Sequence, residues 1–151
     1  MEFSVSRLMQ PALTHVAIHA EDLTRCVEFY QSYCSMGVCH QRGDGGTGVA
    51  WLAEPGREDE LVIVIIGGGS TSDQSDGDFS HLGFAVGSRE EVDAIAERAR
   101  REGCLAWPPR QEPHPVGYFC GVRDPNGNCL EFSYGQPLGP GAPDLEIEVH
   151  S

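Results

Sequence analysis

The chain has 151 residues, of which 23 are acidic and ten are basic, and its formal net charge at pH 7 is −13. This length suits one compact unit or two small fused repeats, and a hydrophobic fraction of 40% is enough for a buried core. The negative charge repels nucleic-acid phosphates and anionic lipid, so we expect neither nucleic acid nor membrane as a partner. No apolar run approaches the roughly 20 residues that cross a bilayer, and the N-terminus lacks a signal-peptide pattern, so we expect a cytoplasmic protein.

The first half of the chain predicts one helix among several strands, after a loose lead-in at 1–12. In chain order these elements are a strand at 13–20, a helix at 23–34, a loop at 41–48, a strand at 49–52 and a buried strand at 61–66. The helix has an apolar face at helical spacing, Asp22 as its N-cap and Gly37 just past its end. Residues 67–78 are rich in glycine, serine and aspartate, which predicts a linker after a first unit at 13–66.

The second half repeats this order of elements over residues 79–135. The predicted elements are a strand at 79–86, a helix at 89–102, a strand at 104–107, a proline-rich loop at 108–115 and strands at 116–122 and 128–134. Ser88 is the expected N-cap of the helix, and Gly103 is expected to end it. The sequence Asp-Pro-Asn-Gly at 124–127 predicts a hairpin turn. Residues 136–151 contain several prolines and glycines and are expected to form an extended tail.

Two predicted strands begin almost identically, with Leu-Thr-His-Val-Ala-Ile at 13–18 and Phe-Ser-His-Leu-Gly-Phe at 79–84. Each is followed by an acidic amphipathic helix, which predicts one structural unit used twice. The fold class is therefore α+β, with two tandem βαβββ units. The repeat places His15 and His81 at equivalent points. Together with Glu131, on the last predicted core strand, these two imidazoles predict a metal site.

The cysteine spacing argues against a zinc ribbon or a redox-active dithiol. None of the six forms a close CxxC pair, and without an export signal we expect no disulfide framework. Most are expected to act as small buried apolar residues. They are Cys26, Cys34, Cys39, Cys104, Cys120 and Cys129.

The chain resembles the vicinal oxygen chelate superfamily, which includes glyoxalase I, extradiol dioxygenases, methylmalonyl-CoA epimerase, fosfomycin-modifying enzymes and bleomycin-binding proteins. The resemblance covers about residues 12–136 and rests on His-Val-Ala at 15–17, His-Leu-Gly-Phe-Ala-Val at 81–86 and Arg-Asp-Pro-Asn-Gly-Asn-Cys-Leu-Glu-Phe at 123–132. It implies an open barrel of the glyoxalase/bleomycin-resistance/dioxygenase type. It also implies metal ligands that project inward from the first and last strands of each unit, and a homodimer. Whether the units pair within one chain or across a swapped dimer stays open.

Carried over to this sequence, the resemblance implies His15, His81 and Glu131 as metal ligands. The fourth family position should fall within 61–66, near Ile63, where the sequence has neither a histidine nor a carboxylate. Glyoxalase I-type sites use four protein ligands, whereas extradiol dioxygenases and fosfomycin-modifying enzymes use two histidines and one glutamate. Three ligands leave open positions for substrate oxygens. This ligand set favours Fe or Mn, with Zn or Ni as alternatives.

Further residues near the implied site are candidates for chemistry and substrate contact. His114 lies in the proline-rich loop, where extradiol-like enzymes carry a histidine that moves protons, and it is the candidate acid/base. The tyrosine that such enzymes place ten residues before the glutamate is replaced by Gly121, which argues against ring cleavage. The candidate substrate-binding side chains are aromatic, with simple packing as the alternative, and are Trp51, Tyr118 and Phe119.

These observations lead to two hypotheses of different classes, beside a third interpretation in which the protein is a structural relic whose ligands no longer bind metal. The first is a divalent-metal-dependent enzyme that acts on a small substrate chelated through adjacent oxygens, by dioxygenase-like or glyoxalase-like lyase/isomerase chemistry. The second is an acidic bleomycin-type antibiotic-binding protein without catalysis, which the charge of −13 favours. A phosphonate substrate is disfavoured, because Arg110 and Arg123 are the only basic residues near the predicted site.

Overall fold

The computed structural model describes residues 10–43, 47–140 and 142. The chain divides into two compact units, Met1–Ser70 and Thr71–Ser151, which we call unit 1 and unit 2. The predicted lead-in at 1–12 and tail at 136–151 lie largely outside the described residues. No helix in the described part of the chain is both long enough and apolar enough to span a bilayer.

Unit 1 is a four-stranded mixed sheet with one helix. Its elements, in chain order, are β1 (His15–Ala20), α1 (Leu23–Cys34), β2 (Gly37–Arg42), β3 (Val49–Ala53) and β4 (Val62–Gly67). The strand order across the sheet is β1-β4-β3-β2. Strands β1 and β4 are parallel, and the other neighbours are antiparallel.

Helix α1 begins where the sequence predicts but ends differently. The Asp22 side chain accepts a hydrogen bond from the backbone N–H of Arg25 at 3.2 Å, as expected of an N-cap. Ser35, with φ of 54°, takes the left-handed position at the C-terminus. The prediction that Gly37 would lie just past the helix end is wrong, because Gly37 is already the first residue of β2. The buried face of α1 contacts β3 and β4 and consists of Leu23, Cys26, Val27 and Tyr30.

Strand β2 is the element that the sequence does not reveal. The predicted loop at 41–48 overlaps the end of β2, which continues to Arg42. All six residues of β2 are exposed, because the strand lies at the edge of the sheet. Without one buried face, a strand lacks the alternation of apolar and polar residues that identifies it in a sequence.

Unit 2 repeats the topology of unit 1. Its elements are β5 (Leu82–Ala85), α2 (Arg89–Glu102), β6 (Leu105–Glu112), β7 (Gly117–Arg123) and β8 (Cys129–Tyr134). The strand order is β5-β8-β7-β6, and β5 is parallel to β8. Ser88 caps α2 by accepting from the N–H of Glu91 at 3.1 Å, and Gly103 ends the helix with φ of 77°. The prediction of two tandem βαβββ units is confirmed.

Strand β6 runs through most of the predicted proline-rich loop. Pro108 and Pro109 lie inside this strand, where the pairing with β7 shifts register between Trp107 and Arg110. Proline has no N–H to donate, and an edge strand with an irregular register tolerates it. The predicted loop at 108–115 is therefore wrong, and the connection is reduced to a turn at 113–116.

The hairpin between β7 and β8 forms as predicted and is tightly held. A carboxylate oxygen of Asp124 accepts from the N–H groups of Asn126 at 2.8 Å and Asn128 at 2.9 Å. Gly127 has φ of 87°, and a Cβ there would lie 2.4 Å from the carbonyl oxygen of Ser72. This turn sets the register in which β8 enters the sheet.

We predict that thiol labelling will separate buried from exposed cysteines. Burial raises the pKa of Cys120 to about 12, with Asp93 and Glu131 adding to the shift, and burial raises the pKa of Cys129 to about 11. A raised thiol pKa lowers the reactive thiolate, to roughly one part in 10⁴ for Cys120 at pH 8. Iodoacetamide followed by mass spectrometry should label the exposed Cys39 in the native protein, and Cys120 and Cys129 only after unfolding. Native labelling of Cys129 as fast as that of Cys39 would contradict this packing.

Candidate functional site

The two parallel strand pairs show which positions of the units are equivalent. In unit 1 the residue two positions after His15 pairs with Val64. In unit 2 the residue two positions after His81 pairs with Glu131. The register therefore makes His15 the counterpart of His81, and Val64 the counterpart of Glu131.

Val64, rather than Ile63, occupies the fourth family position in unit 1. Successive side chains of a strand point to opposite faces, so the difference of one residue changes the face of the sheet. Val64 lines the same cavity as His15, whereas Ile63 is not among its lining residues. An isopropyl group cannot bind a metal ion, so unit 1 contributes no carboxylate at this position.

His81 and Glu131 come together in unit 2. The Nε2 atom of His81 lies 3.6 Å from Oε2 of Glu131. The Nδ1 atom of His81 lies 2.7 Å from the carbonyl oxygen of Phe79. A carbonyl can only accept, so the neutral ring that makes this bond carries its proton on Nδ1 and keeps a lone pair on Nε2. This is the tautomer that can bind a metal through Nε2.

Glu131 is a buried carboxylate in the middle of β8, only 7% exposed. Burial of an ionised carboxylate is unfavourable unless it is paired, hydrogen-bonded or bound to a metal. The same oxygen that faces His81 accepts from the side-chain amide of Gln136 at 3.4 Å. Gln136 lies beyond the last predicted strand and belongs to no motif, so the sequence gives no sign of this contact.

An aromatic wall lies beside this pair of side chains. Gly121 pairs with Glu131 across β7 and β8, and the Trp107 indole covers Gly121, where a Cβ would lie 2.4 Å from the ring. The Trp107 ring contacts His81 edge to face at a centroid distance of 5.6 Å and Phe119 at 6.5 Å. Gly121 thus stands where extradiol enzymes have a tyrosine. The Trp107 ring fills the space beside Gly121.

The structure does not bring Tyr118 to this wall. Strand alternation places Tyr118 on the face opposite Phe119, where its hydroxyl donates to the carboxylate of Asp93. The guanidinium of Arg89 lies 3.9 Å from the centre of its ring. The hydrogen bond to Asp93 raises the pKa of Tyr118. Within unit 2, Tyr118 therefore packs against α2 rather than near Glu131.

His114 also lies away from the pair. It is exposed in the turn at 113–116, beyond Gly117, the first residue of β7. Gly121 pairs with Glu131, so Gly117 is four residues, or about 13 Å, further along the strand. Within unit 2, the imidazole of His114 is thus outside hydrogen-bonding distance of the pair.

In unit 1, His15 borders a cavity of about 510 Å³. Its floor includes Val62 and Val64, which pack with Ala53. Trp51 is 44% exposed on the same cavity and contacts the His40 ring edge to face. The side chains that line the cavity are Thr14, His15, Ala17, Arg42, Val49, Trp51, Glu58, Asp59, Val62, Val64 and Ile66.

The donor atoms present suit a divalent metal. Within neither unit do the described residues group three His, Cys, Asp or Glu side chains closely enough to hold an ion. Unit 2 supplies a pair, an imidazole with a free lone pair and a buried carboxylate. Two ligand atoms of one ion, each bound at about 2.1 Å, lie about 3.0–3.4 Å apart. The observed 3.6 Å is close to this separation, so a small side-chain rotation would bring both atoms into place.

Comparisons with known proteins agree with this fold. The sequence model of the Glyoxalase/Bleomycin resistance protein/Dioxygenase superfamily matches residues 12–132. The uncharacterized protein PA2024 of Pseudomonas aeruginosa is 52% identical over 139 residues, covering 92% of this chain and 99% of that protein. A glyoxylase/bleomycin resistance protein/dioxygenase domain from Frankia sp. EAN1pec is 25% identical with a TM-score of 0.62, over 84% of this chain and 99% of that chain.

The fosfomycin resistance protein FosX from Listeria monocytogenes has a similar structure. It is 23% identical with a TM-score of 0.66, over 85% of this chain and 96% of that chain. A second FosX structure, 21% identical over 85% and 93% of the two chains with a TM-score of 0.66, contains Mn(II) and a sulfate ion. At these identities the likeness shows the fold. The resemblance to the vicinal oxygen chelate superfamily and the glyoxalase-type fold, both predicted from the sequence, are confirmed.

We predict that Gly121→Ala destabilises unit 2. The added Cβ would overlap the Trp107 indole, and overpacking of this kind costs about 1–3 kcal/mol. Urea unfolding followed by tryptophan fluorescence should show this loss in the free energy of unfolding. Gly77→Ala is the matched control, because a Cβ at Gly77 meets nothing within 4 Å. Equal stability of the two variants would show that Trp107 does not depend on Gly121.

Proposed function

Because the chain belongs to the glyoxalase/bleomycin resistance protein/dioxygenase superfamily, we propose that it is a divalent-metal-dependent enzyme. Its substrate is a small molecule that is chelated through two adjacent oxygens. The observation that carries this proposal is the buried Glu131 carboxylate, whose Oε2 atom faces Nε2 of His81 at 3.6 Å. A buried carboxylate and a correctly protonated imidazole at this distance have a clear use in metal binding.

The proposed ligands are His15, His81 and Glu131. The equivalence of His15 and His81 in the two strand registers supports this set, and Val64 leaves it without a fourth member. The superfamily includes metal-dependent enzymes, and FosX binds Mn(II). Fe or Mn suits two imidazoles and one carboxylate, and Zn or Ni is the alternative.

Each side chain around the pair has a defined part in this proposal. The bound ion supplies Lewis-acid stabilisation of negative charge on substrate oxygens. The carbonyl of Phe79 holds the His81 tautomer, and the Glu131 carboxylate supplies the negative charge that attracts a cation. Trp107 and Phe119 shield one side of the pair from water, which strengthens electrostatic interactions there.

The reaction is dioxygenase-like or a glyoxalase-like lyase or isomerase step. Unit 2 places Gly121 beside Glu131, where ring-cleaving enzymes have a tyrosine, and keeps His114 about 13 Å or more along the sheet. Both features favour the lyase or isomerase. His114 stays the proposed acid/base, and within unit 2 it does not reach the His81–Glu131 pair.

A phosphonate substrate fits this chain poorly, although FosX has a similar fold. The guanidinium of Arg110 pairs with the carboxylate of Glu112, and Arg123 donates to the carbonyl of Gly127 at 3.4 Å. The net charge of −13 also opposes a dianion. A neutral or cationic substrate suits this electrostatic field better.

A bleomycin-type antibiotic-binding protein is the second candidate function. The unit 1 cavity supports it, because the exposed Trp51 ring and the carboxylates of Glu58 and Asp59 border the same space. An aromatic face and two carboxylates can attract a cationic ligand. This function would need no metal ligands.

We also propose that the protein is a cytoplasmic homodimer. The compartment is the expectation stated from the sequence, and the family resemblance supports the dimer. Light scattering after size-exclusion chromatography measures the oligomeric state directly. A mass twice that of one chain is the expected result.

We predict that the chain binds about one Mn(II) or Fe(II) when purified anaerobically without chelator. His81→Ala and Glu131→Gln should lose this metal, because each removes one ligand atom. His114→Ala is the matched histidine control and should keep it. Elemental analysis measures the stoichiometry. Zn or Ni instead of Fe or Mn would favour isomerase chemistry, and full metal content in His81→Ala would disprove the site.

We predict that the protein binds bleomycin only weakly. A calorimetric titration at moderate salt measures this affinity. The metal enzyme should bind bleomycin weakly. Tight binding that is lost in Trp51→Ala, in a protein that takes up no metal, would instead establish the second candidate function. Trp107→Ala serves as the aromatic control, since Trp107 lies outside the unit 1 cavity.

A further inference from the structure

The chain turns back immediately after β8, and this turn brings a side-chain amide to the proposed metal ligand. Gly135 has φ of 92°, a left-handed conformation that favours glycine. The half-buried Gln136 and the buried Pro137 follow it. The Nε2 group of Gln136 donates to Oε2 of Glu131 at 3.4 Å.

A second glycine, Gly117, leaves room for the backbone at 134–136 beside the start of β7. A Cβ at Gly117 would lie 2.5 Å from the carbonyl oxygen of Tyr134 and 3.4 Å from the backbone nitrogen of Gln136. Gly117 also has φ of 79°. The start of β7 can therefore approach the backbone at 134–136 only because residue 117 has no side chain. Two glycines in left-handed conformations thus hold Gln136 beside β8.

The Glu131 oxygen has two nitrogen neighbours of different character. His81 Nε2 lies 3.6 Å away, which is longer than a hydrogen bond. The Gln136 amide does donate, and it is neutral. It can therefore fix the rotation of the carboxylate without cancelling the negative charge that a cation needs, as an arginine or lysine would.

Gln136 also borders a cavity of about 560 Å³ in unit 2. Ala85 and Ser133, which pair across β5 and β8, line the same cavity, together with Leu138. Ser133 lies two residues after Glu131, on the same face of the strand. Truncation of Gln136 would open the Glu131 oxygen to water from this cavity, so a test must keep the bulk of the side chain.

We propose that Gln136 is a positioning residue for the metal ligand Glu131. Its amide holds the carboxylate in the rotation that faces His81, and this inference rests on the proposed function, in which Glu131 binds a divalent ion. A residue that orients a ligand in this way typically contributes about 10–100-fold to metal affinity.

The test is Mn(II) affinity, measured by electron paramagnetic resonance of free Mn(II) during titration of the full chain. Gln136→Met keeps the length and bulk of the side chain but has no N–H donor. We expect its affinity for Mn(II) to fall about 10–100-fold. Its thermal unfolding midpoint without metal should match that of the wild type, a result that a purely structural role would not give.

Gln111→Met is the matched control. The side chain of Gln111 is exposed, accepts from Arg89 and donates to the carbonyl of Glu112 on β6, so its loss should leave Mn(II) affinity unchanged. Should Gln136→Met fail to fold, Gln136→Asn answers the same question. It keeps the amide but shortens the side chain by one methylene, and its affinity should also fall.

The outcomes separate this inference from the proposed function. Wild-type affinity in a folded Gln136→Met or Gln136→Asn, with binding lost in Glu131→Gln, would overturn the role of Gln136 and leave the metal site intact. Absence of Mn(II) binding by the wild-type protein would overturn both. Weaker binding in Gln136→Met and unchanged binding in Gln111→Met would support both.

Discussion

A buried carboxylate is the constraint on which the arrangement of unit 2 depends. Glu131 lies in the middle of β8 at 7% exposure, where an ionised group needs partners. The hairpin held by Asp124 sets the register of β8, and parallel pairing with β5 brings the segment that carries His81 alongside. The turn after β8 brings the amide of Gln136 to the same oxygen, and Trp107 covers the neighbouring strand. Several separate elements of unit 2 therefore set the surroundings of this one carboxylate.

The two repeated units share their topology but differ at the position of Glu131. Their topology is the same, and the strand registers make His15 equivalent to His81. At the position of Glu131, however, unit 1 has Val64, which belongs to an apolar cluster under a cavity. At this position unit 2 has a carboxylate, and unit 1 has an apolar side chain. The net charge of −13 opposes the binding of an anionic ligand.

Local interactions explain which elements could be predicted. Both helices begin as the sequence indicates, because Asp22 and Ser88 cap them through hydrogen bonds within a few residues. Two of the edge strands were predicted less completely: β2 was missed, and β6 was predicted only at its start, over 104–107. Strand β2 is exposed on both faces, and β6 contains Pro108 and Pro109, so neither has the pattern of a half-buried strand. Their place is decided by pairing with a neighbouring strand, which is a long-range interaction.

The sequence by itself determined the repeated βαβββ unit and the family, because these depend on short local motifs, and the resemblance implied His15, His81 and Glu131 as candidate ligands. Only the tertiary structure decided which side chains meet Glu131. Strand register placed Trp107 beside it and turned Tyr118 to the opposite face, since a shift of one residue reverses the face of a strand. Gln136 follows Glu131 by five residues, and its turn at Gly135 packs against Gly117 on a different strand. Contacts between residues far apart in sequence leave no local pattern, and so they become visible only once the chain has folded.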